Sequence, residues 1–449
     1  MKKTILSITL LLVAAATQAQ ARRECLTQAG KRMFPQKLER RAITRAHIGN
    51  PAVFKGEKRG LIILMEFPNM KFTNKNSNGK TFDVQTLWND IANKESLRNV
   101  SGVLVCGSVR DYFRDQSYGQ FIIDFDVVGP YTAKNKYAYY GRNYEYQGTT
   151  YHDEHANELI MEACQAAEKD VKFKDYDWDG DGEVEEVYVV YAGHGEADYS
   201  DKDTETIWPH KSYLSGWTDT TFKLQDIIID TYACSNELNR NNRYDGIGSI
   251  CHEFSHCLGL PDVYDAATGN SVVGDYDIMD SGSYNGDSWY PPSYSSFERY
   301  FCGWIEPKEI SDVSQVDSTS LRPLHQYPDA YIIHPVPGST DYYMIENRAK
   351  ESWDKFLPSH GLIAWYIDYI PEKWGNNRPN DDPDHLGISR IKLTDIPSIN
   401  PSSIALASPT SDAIERWYDL RGRRLPTAPA TNGIYILRQA DRTIKKYTR

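Results

Sequence analysis

The segment His252-Glu253-Phe254-Ser255-His256-Cys257-Leu258-Gly259-Leu260-Pro261-Asp262 decides how the rest of the chain is read. Its pattern predicts a helix over 247–258, stopped by Gly259 and Pro261. His252 and His256 stand four positions apart, so they share one helix face about one turn from each other. Two imidazoles so placed reach one zinc ion. Glu253 is rotated away from both, which aims its carboxylate at a zinc-bound water rather than at the metal. Gly259 permits a left-handed turn. The chain then folds back and brings Asp262 to the same ion as third ligand, with Asp265 as the competing position. Two neutral imidazoles and one carboxylate leave a fourth position open, which marks a catalytic zinc. The bland account is a helix with two ordinary histidines. Gly259 and Asp262 at their fixed offsets argue against it.

Two further segments work outward from that helix. In Asp275-Tyr276-Asp277-Ile278-Met279-Asp280-Ser281-Gly282, a methionine follows the helix in a tight turn. Met279 is expected to pack beneath the ligands as a soft, space-filling base. Upstream, residues 175–186 fit a twelve-residue calcium loop. Asp175, Asp177 and Asp179 hold positions 1, 3 and 5, Gly180 position 6, Asp181 position 7 and Glu186 position 12. So many carboxylates on one loop repel without a cation. The loop runs into a strand, so its expected role is rigidity rather than sensing.

Around these motifs the pattern predicts strands at 61–67, 121–128 and 186–192. The last is expected to be a sheet edge that pairs with an extended substrate. Helices are expected at 108–117, capped by Ser108 with Asp111 in the first turn, and at 155–171 with Asp153 as cap. His152, His155, His194 and His210 read as ordinary polar, capping or wall residues. Tyr284 reads as packing, with hydrogen bonding to an oxyanion as its functional alternative.

The 449 residues are enough for several domains and a sizeable core. Lys2 and Lys3, the apolar run 5–16 and Ala19-Gln20-Ala21 read as a secretory signal peptide over 1–21. No later run is long and apolar enough to span a bilayer. Residues 22–55 read as a basic pro-segment, with a disordered basic arm as the alternative: Arg22 to Gly60 holds eleven Lys/Arg against three Asp/Glu. The whole chain carries −12, which argues against nucleic acid as a partner. The unit that holds the zinc motif is assigned to 56–305, a β-rich accessory domain to 306–396, a linker to 397–416 and a short tail to 417–449. The tail holds strand candidates around 420–422 and 433–437. Seven cysteines remain after the leader, an odd number, and Cys25 is a candidate thiolate cap for the zinc.

The zinc motif with Met279 resembles the metzincin clan, and more closely the immune inhibitor A-like metallopeptidases. Further blocks carry the likeness: Gly107–Phe113, Asp175–Glu186, Ile207-Trp208-Pro209-His210, Met344–Arg348 and His360-Gly361-Leu362. The resemblance implies a two-lobed α+β peptidase domain with a mixed sheet and an active-site helix, followed by the β-rich domain. It also implies a secreted zymogen, bound calcium and broad endoproteolysis of extracellular proteins or peptides. Residues 417–423 and 432–435 resemble a shortened C-terminal sorting domain of the type IX secretion route. The rival reading is a secreted adhesin on a degenerate peptidase fold. A narrow-specificity toxin or mucin-degrading enzyme would share the chemistry but not the substrate range.

Overall fold

None of the eleven residues of Gly56–Glu66 is Pro or Asp, and Leu61–Met65 is apolar without a break; the segment forms a strand (β1) whose 60–65 stretch is buried on both faces. The computed structural model describes residues 54–397 except 76–78, 147–148, 152, 199–204, 217, 219 and 336–339. Beyond these it describes only the backbone of four short strands after residue 415. The signal-peptide, pro-segment, Cys25 and linker expectations lie outside the described residues.

After β1 come helix α1 (Val84–Asn93), helix α2 (Val109–Gln116), strand β2 (Phe121–Thr132), helix α3 (Ala156–Ala167) and strand β3 (Val187–His194). Strands β4 (His210–Tyr213) and β5 (Thr231–Leu238) and helix α4 (Gly248–Cys257) follow. The sheet runs β2-β1-β3-β5-β4, parallel except for β4, which is antiparallel to β5. Alternate residues of β1 and β3 serve two cores. Leu61, Ile63, Met65, Val187, Val189 and Tyr191 pack with Leu159, Ile160 and Ala163 of α3. Ile62, Leu64, Tyr188 and Val190 pack with residues of α1, α2 and α4. Helices therefore cover both faces of this mixed sheet.

Ser108 caps α2 as its sequence predicts. Its hydroxyl accepts from the Asp111 N–H, and the Asp111 carboxylate accepts from the Ser108 N–H. Asp153 does not cap α3, which begins after His155. Asp153 sits at φ +57°, and its buried carboxylate accepts from the Trp208 N–H instead. β3 is not an edge. It lies between β1 and β5, so its backbone donors and acceptors are already spent; the edge next to α4 is β4.

Helix α5 (Ser296–Phe301) leads to a second sheet of β6 (Lys308–Glu309), β7 (Tyr331–Ile333), β8 (Asp341–Arg348), β9 (Gly361–Asp368) and β10 (Ile388–Ile391). Helix α6 (Pro371–Gly375) lies between the last two strands. One face keeps a small core of its own around Ile333, Ile345 and Ala364. The other face, with Ile332, Met344, Trp365 and Ile367, joins the core that contains Phe254 and Met279. Arg348, fully buried, ties the two parts together. It reaches Glu346 at 2.6 Å, Asp354 at 2.9 Å and the Ser293 carbonyl at 2.8 Å. In the tail, strands 416–419, 424–425, 434–438 and 444–448 make an antiparallel sheet. The second expected tail strand coincides with one of these; residues 420–422 are outside the described set.

Candidate metal centre

Helix α4 has one face for the core and one for chemistry. Ile250, Cys251 and Phe254 are buried, and the Phe254 ring sits 5.3 Å from both Phe113 and Phe125. Burying each such side chain contributes about 1.5–3 kcal/mol, enough to fix the helix's rotation. That rotation sends His252 and His256 to the opposite side, their rings 5.1 Å apart. The helix ends where Gly259 takes φ +86°, the left-handed turn its sequence anticipates. The Gly259 turn returns Asp262 to the histidines. Asp262 Oδ1 lies 3.1 Å from His252 Nε2 and 3.4 Å from His256 Nε2.

Both histidines are oriented from behind. His252 Nδ1 donates to the Ile278 carbonyl at 2.7 Å, and His256 Nδ1 donates to the Leu260 carbonyl at 2.7 Å. A proton held on each Nδ1 leaves Nε2 with a lone pair, the tautomer that ligates a metal. Glu253 completes the group: one of its carboxylate oxygens and the two imidazoles offer ligand atoms all within 4.8 Å of one another.

Electrostatics ask for a cation at this point. Burial works to raise Asp262, yet the facing His256 and His252 hold it well below the usual carboxylate range. Burial works to lower His252, yet Asp262 and Glu253 outweigh it and hold it up at about 9. Burial raises the Glu253 carboxyl against the pull of both histidines. Two imidazoles and a carboxylate, with His252 and Asp262 buried and His256 partly so, are the donor set of a divalent transition metal, and a zinc ion suits them. Asp265 is occupied elsewhere. Its carboxylate accepts from the Ala267 and Thr268 N–H groups, at 2.9 and 3.0 Å, and caps the next turn.

Met279 is fully buried in the turn beneath His252. Asp277 Oδ1 accepts from the Met279 N–H at 2.8 Å, and the Met279 carbonyl accepts from the Val263 N–H at 3.0 Å. The Met turn is thus bonded both to its own start and to the residue after Asp262. Asp280 anchors its far side by accepting from the Val272, Val273 and Gly274 N–H groups.

The other histidines weighed in the sequence are engaged away from this group. His155 stacks on Tyr139, with centroids 4.1 Å apart. His194 bonds Asn242. His210 is buried between the Trp208 carbonyl and the Tyr232 hydroxyl. His152 is outside the described residues. All six described cysteines are free thiols, so no disulfide joins them.

The acidic loop closes differently from its expected register. Asp177, Asp179 and Glu185 bring carboxylate oxygens within 4.8 Å of one another. Asp175 instead pairs with Arg59 at 3.0 Å. The Asp181 carboxylate accepts from the Glu183 N–H. Glu185, whose carboxylate accepts from the Trp178 N–H, takes the place expected of Glu186. The cause is the exit from the loop. A helix would carry the twelfth residue back, whereas the chain here straightens into β3 and adjacent side chains point opposite ways.

The model of the immune inhibitor A peptidase M6 catalytic domain matches residues 52–304. The chain belongs to this family. It is 28% identical over 244 residues to the pre-pro-metalloprotease PrtV of Vibrio cholerae serotype O1 strain M66-2, covering 45% of this chain and 25% of that protein. It is 26% identical over 243 residues to immune inhibitor A of Bacillus thuringiensis subsp. alesti, covering 47% and 34%. The chain thus spans a quarter to a third of the length of these curated relatives. Within the matched region lie all three candidate ligands, Glu253 and Met279.

Sequence reasoning missed one polar partner of the site. Asn377, in the turn after α6, makes two hydrogen bonds to Asp262. It lies 115 residues further along the chain, and no local pattern announces it.

Proposed function

We propose that the protein is a secreted zinc-dependent endopeptidase that hydrolyses peptide bonds of extracellular proteins. The observation that carries this reading is the convergence of His252 Nε2, His256 Nε2 and Asp262 Oδ1, with Glu253 beside them. A zinc ion held by these three residues would polarise the scissile carbonyl and acidify a water. Glu253 then takes a proton from the attacking water and passes it to the leaving amine. Its burial, which raises its pKa, favours that exchange by making the carboxylate a better base. Met279 and Asp277 hold the floor of the site, and the two backbone carbonyls keep the imidazoles in the ligating tautomer. The edge strand β4, antiparallel to β5, is the candidate to pair with an extended substrate.

Secretion rests on the leader-like first 21 residues, and no helix among the described residues is long and apolar enough to cross a membrane. The basic 22–55 segment supports a zymogen. A structural calcium ion is part of the proposal, held by Asp177, Asp179 and Glu185, with rigidity of the loop before β3 as its role.

The deciding experiment is Glu253→Gln in the processed protein. The variant should keep its zinc and lose casein cleavage by at least about a hundredfold, the scale of a lost general base. A variant that cleaves as the parent does removes Glu253 from the mechanism. A parent that never cleaves leaves the adhesin reading.

A further inference from the structure

The two histidines are held by their own helix and by the turn beneath it. The third candidate ligand is held from far along the chain. Asn377 Nδ2 donates to Asp262 Oδ2 at 2.6 Å, and Asn377 Oδ1 accepts from the Asp262 N–H at 2.6 Å. Three residues on, Asn380 is fully buried. Its Nδ2 donates to the Val263 carbonyl at 2.6 Å and to the Ile388 carbonyl at 3.0 Å. Its Oδ1 accepts from the Ile388 N–H at 3.0 Å. Two asparagines therefore join residues 262–263 to strand β10 of the second sheet. Asn377 sits at φ +59°, a conformation that Asn and Gly adopt far more readily than other residues.

We infer that Asn377 is a positioning residue for the third metal ligand, and that metal affinity depends through it on the second sheet. The inference rests on the zinc reading above. With Oδ2 engaged by the amide, Asp262 presents Oδ1 alone to the two imidazoles. The paired bond to the Asp262 N–H fixes backbone and side chain together, so the carboxylate is held in place before a metal arrives. Without the amide, Asp262 regains rotamer freedom that metal binding must then remove. Outer partners of this kind typically change metal affinity by about 10–100-fold. Asn377 lies beyond residues 52–304, so the matched peptidase region does not contain everything that orients its own ligands.

A plain structural tether makes a different prediction. It would lower the stability of the metal-free chain and leave the metal's dissociation constant alone. Asn377→Gly separates the two, because glycine keeps the left-handed backbone and removes only the amide. Asn376→Gly next to it serves as control. The full processed chain would be titrated with zinc against a chromophoric chelator, and the thermal midpoint read with and without metal. The expected result is zinc binding weakened by about 10–100-fold in Asn377→Gly, unchanged binding in Asn376→Gly, and a larger fall in midpoint for the loaded than for the stripped form. Unchanged zinc affinity in Asn377→Gly overturns the inference, whatever happens to the stripped form. If that variant does not fold, Asn377→Ser carries the same expectation, since a hydroxyl is too short to span both contacts. A parent that binds no zinc sinks the zinc reading and this one together. A zinc-binding parent with an indifferent Asn377→Gly sinks only this one.

Discussion

Gly248→Ala should destabilise the protein, although helix propensity alone predicts the opposite. Gly248 opens α4, one turn before His252. An alanine there would gain up to about 1 kcal/mol from propensity. Space decides otherwise. A Cβ at 248 would stand 1.8 Å from the Ser283 carbonyl oxygen and 2.9 Å from its carbon. Ordinary contact needs at least 3.4 Å, so one backbone must retreat by more than 1 Å. Neither is free to move. The Ile247 and Gly248 N–H groups donate to the Ser288 carbonyl at 2.9 and 2.8 Å, which pins the helix start to the segment just past the Met turn. Overpacking of a fixed site costs about 1–3 kcal/mol, and a backbone obstacle belongs at the upper end. The net loss is then about 2 kcal/mol, a fall in midpoint of roughly 2 °C for a chain of this size. Since α4 carries both histidines and Glu253, a displacement of about 1 Å should also cost about a hundredfold in kcat/KM. Calorimetry of the metal-free protein, with cleavage assayed in parallel, reads both effects. A variant as stable as the parent would refute the close helix–turn contact on which the floor of the site depends.

Three further outcomes follow from groups away from the candidate zinc ligands. Burial pushes His210 down to about 4, so below about 6.5 the unfolded chain takes up a proton that the native state refuses. Its contribution to stability should therefore fall by about 3 kcal/mol as pH drops from about 6.5 to 4. Burial pushes Glu237 up to about 7 against the Thr73 and Gly193 N–H donors, so its contribution should fall as pH rises from about 4.5 to 7. Denaturant titrations of Glu237→Gln should show a flatter loss between pH 5 and 8 than the parent, and an identical slope would contradict the assignment. Calcium at a hundred times its dissociation constant should stabilise the parent by about 2.7 kcal/mol. Asp177→Asn should abolish that gain, and a variant that still responds would move the ion elsewhere.

The centre was legible because its information is local. Spacing four residues apart on a helix, a glycine that must turn left-handed and a carboxylate just beyond it are all contained in eleven consecutive positions. The Ser108–Asp111 capping box was legible for the same reason. What failed to read was information held between distant segments. Strand order is of this kind, yet β3 did carry a signal. Its run of seven buried residues, Val187–Gly193, belongs to a strand covered on both faces rather than to an exposed edge. The acidic loop fits a twelve-position spacing in one dimension, but with its exit into a strand the carboxylate that stands beside Asp177 and Asp179 is that of Glu185 rather than Glu186. Asp153 looked like a helix cap by position, but its left-handed backbone and its bond to Trp208 are set by a segment more than fifty residues away. Likewise the second sheet looked separate by texture, while Met344 and Trp365 lie in the core that supports α4.

The account stands on a metal held by two imidazoles and one carboxylate. Elemental analysis of the folded, processed protein tests this most directly, with His256→Ala prepared alongside. The expected result is one zinc per chain in the parent and none above background in the variant. A parent devoid of zinc even after reconstitution, or a variant that retains it in full, would contradict the account.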